Sequence, residues 1–259
     1  MKNIQDLIKY KDLFWQLTLR EIKAKYKQSV LGYAWVVLVP LMNMVVLSII
    51  FSNLFRVPTG NIPYPIYLFV ALVPWIFLSN AITTSTSSII SNSSLITKVS
   101  LPREILPISV ICARLFDLLI MALILIVFLF IFHIQLQFNL IWVPLILIIQ
   151  LMLIIGMSLI LSATNVFFRD IEHAIGVLLT IWMYLTPVIY SPALIPSHLK
   201  ILFNLNPMAG IIESYRAVIL YGHFPSWDLL SYSALTSTGI LLLGFWYFKK
   251  RSKYFADVI

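Results

Sequence analysis

Six stretches of this chain are long and apolar enough to cross a lipid bilayer, and that removes most folds from consideration. A bilayer core about 30 Å thick needs about 20 apolar residues per helix, and it leaves any unpaired backbone group without a partner. The stretches run over 34–55, 66–90, 108–132, 141–165, 174–190 and 231–248, the last two short. A content of 61% hydrophobic and 11% charged residues over 259 positions lies outside the range of a soluble domain and agrees with that reading. The expected architecture is all-α: a polytopic membrane protein with six transmembrane helices and an N-terminal amphipathic interface helix over 1–28. A re-entrant extracytoplasmic helical hairpin over 191–221 precedes the last span, and 29–259 forms a single transmembrane domain.

The net charge of +8 sits in blocks outside the apolar runs, so it reports orientation in a membrane and argues against a nucleic-acid partner. Fourteen Lys and Arg fall on one side: seven in the N-terminal arm, Lys98 and Arg103 between spans two and three, Arg169 between four and five, and four in the tail. Only Arg56, Lys200 and Arg216 fall on the other side. Short basic loops are retained in the cytoplasm, which places both termini there. The first 28 residues are too polar to contain a signal-peptide core, so no cleavable leader is expected. Cys112 is the single cysteine and cannot form an intrachain disulfide.

The arm ends in "KAKYKQSVLGYAW", residues 23–35, where three basic groups give way within six residues to an uncharged span. On a 3.6-residue wheel Ile4, Leu7, Ile8, Phe14, Trp15, Leu19, Ile22 and Tyr26 share one side, opposite Lys2, Lys9, Arg20, Lys23 and Lys27. Such a helix lies in the headgroup plane. Lys11 and Lys25 intrude on the apolar side, so that part meets protein or snorkels. Two readings of the arm stand together, an anchor and a cationic entrance for an anionic headgroup. Residues 28–33 form a tight elbow in which Gly32 is free to take unusual dihedrals.

Inside the second span "TTSTSSIIS", residues 83–91, calls for hydroxyl partners, either neighbouring protein and water or its own backbone one turn earlier. Arg114 and Asp117, three apart, are the charges within a span, and they read as a self-neutralising pair or as a substrate contact. From Pro187 at the end of span five, the about 40 residues before span six hold Pro192, Pro196 and Pro207 among apolar runs too short to cross a bilayer. Broken backbone at membrane depth is tolerated where protein buries it, which suits a hairpin dipping from the outer face and acting as a gate.

No Gly precedes a Lys, so the G-x-x-x-x-G-K-[ST] phosphate loop is absent. His133, His173, His198 and His223 are scattered without ligand spacing, and neither G-x-S-x-G nor H-E-x-x-H occurs. No catalytic residue, metal site or cofactor is expected in this chain.

Four segments, "LTLREIKAKYKQSVLGYAWVVLVPLMNM" (17–44), "KVSLPREILPIS" (98–109), "NVFFRDIEH" (165–173) and "NPMAGIIESYRAVIL" (206–220), resemble in order and topology the membrane subunit of type-2 ATP-binding-cassette polysaccharide exporters. That group exports O-antigens, teichoic acids and capsules. The resemblance covers nearly the whole chain. It implies a homodimeric permease in the bacterial cytoplasmic membrane, with two copies of a separate P-loop ATPase that binds ATP and Mg. It also implies a polyprenyl-diphosphate-linked glycan as substrate.

By the same resemblance, Arg20, Lys25, Lys27, Ser29 and Gly32 stand where the lipid diphosphate enters. Stacking of sugar rings on aromatic faces marks Tyr33, Trp35, Phe51, Phe55, Tyr67, Trp75, Tyr184 and Tyr190 as channel-lining candidates. Leu95, Ile96, Lys98, Val99, Leu101 and Arg103 are expected to couple to the ATPase, with a short helix inserting its apolar residues into that subunit. Pro187, Asn206, Pro207, Tyr215 and Arg216 are expected at the gate. A membrane transferase acting on polyprenyl-linked sugars is the alternative, with Arg103–Glu104, Arg169–Asp170–Glu172 or Glu213–Arg216 as its polar groups. A passive pore is a third reading.

Overall fold

The computed structural model describes residues 10–26, 32–54, 57–98 and 101–258, and every regular element among them is helical. Helix α1 (Lys11–Tyr26) carries Asp12 in its first turn and Lys23 and Lys25 in its last, which complements the helix dipole. Gly32 follows at φ 47°, a left-handed value that glycine adopts without cost, and the chain turns there into α2 (Ala34–Ser48). This helix widens into a π-helical stretch over Ile49–Leu54. Helix α3 (Tyr64–Thr86) then returns, with Pro65 fitting its first turn. Two short helices, α4 (Ser88–Ser91) and α5 (Ser93–Lys98), lead into α6 (Ile105–Ile131).

Helix α7 (Val143–Phe167) runs back after a 3₁₀ turn at Phe138–Trp142, and α8 (Asp170–Leu185) follows. After 3₁₀ turns at Pro192–Leu194 and Ser197–Leu199 come α9 (Lys200–Asn204) and α10 (Pro207–Ile219). The long α11 (Trp227–Ser252) and the short α12 (Phe255–Val258) close the chain.

Among the described residues, five helical stretches are long and apolar enough to cross a membrane: Ala34–Ser52, Tyr64–Thr86, Ile105–Ile131, Phe138–Phe167 and Trp227–Ser252. They overlap the first four and the last of the stretches read from the sequence. The fifth sequence stretch, 174–190, coincides with α8, whose 16 residues reach about 24 Å at about 1.5 Å per residue, short of the hydrocarbon thickness. Its register also differs: the helix begins at Asp170 and stops at Leu185, because Pro187 disfavours helical dihedrals in the residue before it.

Helix α3 is the hub. It is apolar on every side and buried along most of its length, packed by α6, α7, α2, α8 and α10. The most extensive helix pair is α7 with α11, which meet through small residues. A Cβ added to Gly156 would lie 2.6 Å from the Ile240 carbonyl oxygen, and one added to Gly244 would lie 2.9 Å from the Gly156 Cα. Only glycine lets these two backbones approach so closely.

The arm departs from the wheel drawn on the sequence. Leu17 and Thr18 are the buried positions, and they hold α1 against α6, whereas Trp15 and Leu19 are 56% and 47% exposed. The protein is met by the strip of Tyr10, Leu13, Phe14 and Leu17, one step around the helix from the expected face. Trp15 and Leu19 are left to the surroundings, where an interfacial helix places such side chains.

Candidate functional site

Helices α2 and α8 both pack on α3 without a packed interface of their own, and the gap between them is a groove of about 690 Å³. Its walls follow helical spacing: Trp35, Val39 and Asn43 on α2, Trp75, Ser79 and Asn80 on α3, and Thr180 and Tyr184 on α8. Lys25 from the arm and Arg114 and Asp117 from α6 close one end.

At that end a single carboxylate holds two cations. Asp117 Oδ2 accepts from Lys25 Nζ at 2.7 Å and from Arg114 Nη1 at 3.2 Å, while Arg114 Nε donates to the Thr84 hydroxyl at 3.2 Å. The group carries a formal charge of +1 and sits in a groove, so it can take an anion. Burial pulls the Lys25 ammonium below its ordinary range; the bond from Asp117 opposes this and the Arg114 charge adds to it. The intrusion of Lys25 on the apolar side of the arm thus has a cause in an acidic residue 92 positions away. The Arg114–Asp117 pair seen in the sequence is real and is also part of the groove wall.

The expected entrance residues divide. Lys25 lies in the groove and Gly32 forms the turn into α2, whereas Arg20 points elsewhere, donating to Asn92 Oδ1 at 2.6 Å and to Glu21 at 2.9 Å. Lys27 and Ser29 lie outside the described residues. Of the aromatic set, Trp35, Trp75 and Tyr184 line the groove. Tyr190 lines a second cavity of about 710 Å³ past the C-terminal end of α8, which Tyr184 also reaches. Trp75 and Trp182 meet edge to face at 5.6 Å between the two cavities. Tyr33 is exposed with its ring against Phe116, Phe51 is half-buried beside the core, and Phe55 lies outside the described residues. Tyr67 is buried beneath Arg216.

The gate residues come together around α10. Asn206 caps the helix by accepting from the Met208 N–H at 3.1 Å, receives the Trp182 indole N–H at 3.0 Å, and donates to the Thr186 hydroxyl at 2.8 Å. Pro207 takes the first helical position, where its missing N–H is harmless. Arg216, with no exposed surface, donates to the carbonyls of Pro187 at 2.6 Å and Val188 at 2.8 Å, pairs with Glu213 at 2.7 Å, and lies 3.7 Å above the Tyr67 ring. It therefore ties the non-helical stretch after α8 to α10. The Tyr215 hydroxyl donates to Gln150 Oε1 at 3.1 Å, and Gln150 Nε2 reaches the Pro74 carbonyl at 2.8 Å, which links α10 to α7 and α3. Helix α10 is buried on nearly every side, whereas α9, the other short helix before the last span, has five residues and none of them is buried.

In the segment expected to couple to an ATPase, Ile96 is buried in the chain's own arm-end cluster, with Leu95 and Leu101 packed against it. Arg103 lies over the Phe255 ring at 5.8 Å. Thr97 and Lys98 are the outward positions, and Val99 lies outside the described residues.

Residues 12–220 match the family described as ABC-2 type transporter. The chain is 32% identical over 259 residues to the O-antigen export system permease protein RfbA of Myxococcus xanthus, covering 99% of this chain and 98% of that one. It is 30% identical over 249 residues to RfbA of Klebsiella pneumoniae, with 96% and 95% covered. The polysialic acid transport protein KpsM of Escherichia coli is 24% identical over 247 residues, with 92% of each chain covered.

Proposed function

The chain belongs to the ABC-2 type transporter family, and from that premise we propose that it is the membrane permease of an ATP-driven exporter of a polyprenyl-diphosphate-linked polysaccharide. The observation that carries the reading is the groove: a cationic end formed by Lys25, Arg114 and Asp117 opens onto walls that hold Trp35, Trp75 and Tyr184. A diphosphate needs the first, and sugar rings, which stack their C–H faces on aromatics, need the second. Names of relatives that move O-antigen and polysialic acid favour export over the transferase alternative.

In this reading the diphosphate site comprises Lys25 and Arg114, with Lys27, Ser29 and Gly32 retained from the resemblance, and Arg20 fastens the arm to Asn92 instead. The chain acts as a homodimer with two copies of a P-loop ATPase, which carries ATP and Mg. The balance of Lys and Arg supports cytoplasmic termini and a bacterial inner-membrane setting. Helix α8 together with the stretch that Arg216 holds counts as the fifth of six spans, and α10 is the buried limb of the re-entrant hairpin. Thr97 and Lys98 face the ATPase, with Ile96 anchoring the loop to the permease.

The test is reconstitution. The chain alone in proteoliposomes should hydrolyse no ATP, and with its ATPase it should carry a polyprenyl-diphosphate-linked oligosaccharide across the bilayer in an ATP-dependent way. ATP hydrolysis by the lone chain, or ATP-independent leakage of the glycan, would refute the reading.

A further inference from the structure

The groove has a third kind of chemistry between its charged end and its rings. Asn43 on α2 and Asn80 on α3 both line it, both are exposed within it, and neither side-chain amide hydrogen-bonds to a described residue. Asn43 is the tenth residue of α2, and Asn80 falls on the stripe Trp75, Ile76, Ser79, Asn80 and Thr84 that α3 turns toward the groove. An amide without a partner is disfavoured in hydrocarbon, so these two are directed at something polar. The contrast with α6 is direct: its exposed positions from Leu119 to Phe130 are Leu119, Leu123, Ile126, Val127 and Phe130, a face suited to lipid. The neighbouring Thr180 differs again, because its hydroxyl donates to the Gly176 carbonyl and so needs nothing from the groove.

We propose that Asn43 and Asn80 form a hydrogen-bonding station for the hydroxyl and amide groups of a sugar ring, and that this station contributes to which glycans the groove accepts. An amide offers both donor and acceptor, matching a hydroxyl in either role. A sugar has apolar C–H faces and polar edges, and the groove supplies Trp35 and Trp75 for the first and the two amides for the second. At about 690 Å³ the groove falls within the about 300–1,000 Å³ typical of sites that enclose a small molecule. Asn80 lies one helical turn before Thr84, which accepts from Arg114, so the station follows directly on the charge that would hold a phosphate. The inference rests on the export reading, and it names the part of the substrate read in the groove.

The experiment uses the full chain reconstituted with its ATPase and two probes: a polyprenyl diphosphate bearing a fluorescently tagged N-acetylhexosamine oligosaccharide, and the same lipid diphosphate without sugar. In the N43L/N80L variant, leucine keeps the γ-branched shape of asparagine and removes its hydrogen bonds at positions the fold leaves exposed. Transport of the glycan-bearing probe should fall about tenfold, as expected for two hydrogen bonds lost from a protein–ligand contact, while binding of the sugar-free lipid stays as in the wild type. N43S/N80S, which restores a donor and an acceptor, should recover part of the loss. Unchanged transport by N43L/N80L, with the wild type active, would overturn the station alone. Loss of the homodimer in that variant would also overturn it, since the amides would then bind a second copy of the chain. A wild type that moves neither probe would refute the export reading itself.

Discussion

If Lys25 and Arg114 hold the diphosphate, three single substitutions of similar size should separate in sign as well as magnitude. Arg114→Gln and Arg20→Gln each remove one positive charge from the same end of the molecule, so attraction to an anionic membrane surface would treat them alike. The structure treats them differently: Arg114 lines the groove, whereas Arg20 is bonded to Asn92 and Glu21. A cation 4 Å from a phosphate oxygen gains about 4 kcal/mol at an effective dielectric near 20. Half of that is a fair discount for a group that keeps contact with solvent, as the 13% exposure of the Arg114 side chain indicates. Arg114→Gln should therefore weaken binding by about 2 kcal/mol, roughly 30-fold, and Arg20→Gln by less than about twofold.

Asp117→Asn removes the negative charge that both cations share, and so should tighten binding by a similar factor while slowing release and export. Equilibrium titration of detergent-purified protein with a fluorescent polyprenyl diphosphate at two salt concentrations reads all three. Equal losses in Arg20→Gln and Arg114→Gln, or weaker binding in Asp117→Asn, would remove the site.

Two further outcomes are expected. Arg216→Met strands two backbone carbonyls and Glu213; thermal unfolding in detergent should show a loss of about 3–5 kcal/mol, with only partial recovery in Arg216→Lys because one ammonium cannot replace a two-pronged donor, and a wild-type melting curve would contradict the clamp. Thr97→Cys should crosslink to the ATPase without destabilising the permease, whereas Ile96→Ala, which empties a buried position, should cost the permease itself about 2 kcal/mol; a crosslink from position 96 in an undamaged permease would reverse their roles.

The elements easiest to read in the sequence were those set by local pattern. Helix α3 was legible as a span from the length of its apolar run, and of the two kinds of partner weighed for the hydroxyls at its end the backbone one turn earlier is the one used, as Ser85 and Thr86 show by donating to the Ile82 carbonyl. Span ends were less legible, since α3 begins at Tyr64 and α8 at Asp170, where a proline and two carboxylates suit a first turn that a hydropathy window does not register. The site resisted for another reason. Arg114 and Asp117 are three apart and were visible as a pair, but the third member, Lys25, is brought to them by the packing of α1 on α6. The wheel of the arm sets Lys25 on the apolar side and Arg20 opposite, but it does not show that the partner of Lys25 is Asp117. The unpartnered amides were hidden in the same way: an asparagine in a span becomes informative only when the neighbours it fails to bond are known.

The glycine contact between α7 and α11 makes a lever of those helices. Where main chain touches main chain there are no side chains between the helices to change rotamer, so the two axes are held at close range. The 26 residues of α11 span about 39 Å at about 1.5 Å each. Beyond its last turn the Phe255 ring leans on Phe248, Phe167 and Arg103, and near the opposite end Ser233 donates to the carbonyl of Pro207, where α10 starts. A tilt applied beneath Phe255 is therefore delivered to the first turn of α10 with little absorbed on the way, and a bulkier residue at Gly156 would act as a slipped fulcrum, leaving each end sound while uncoupling one from the other.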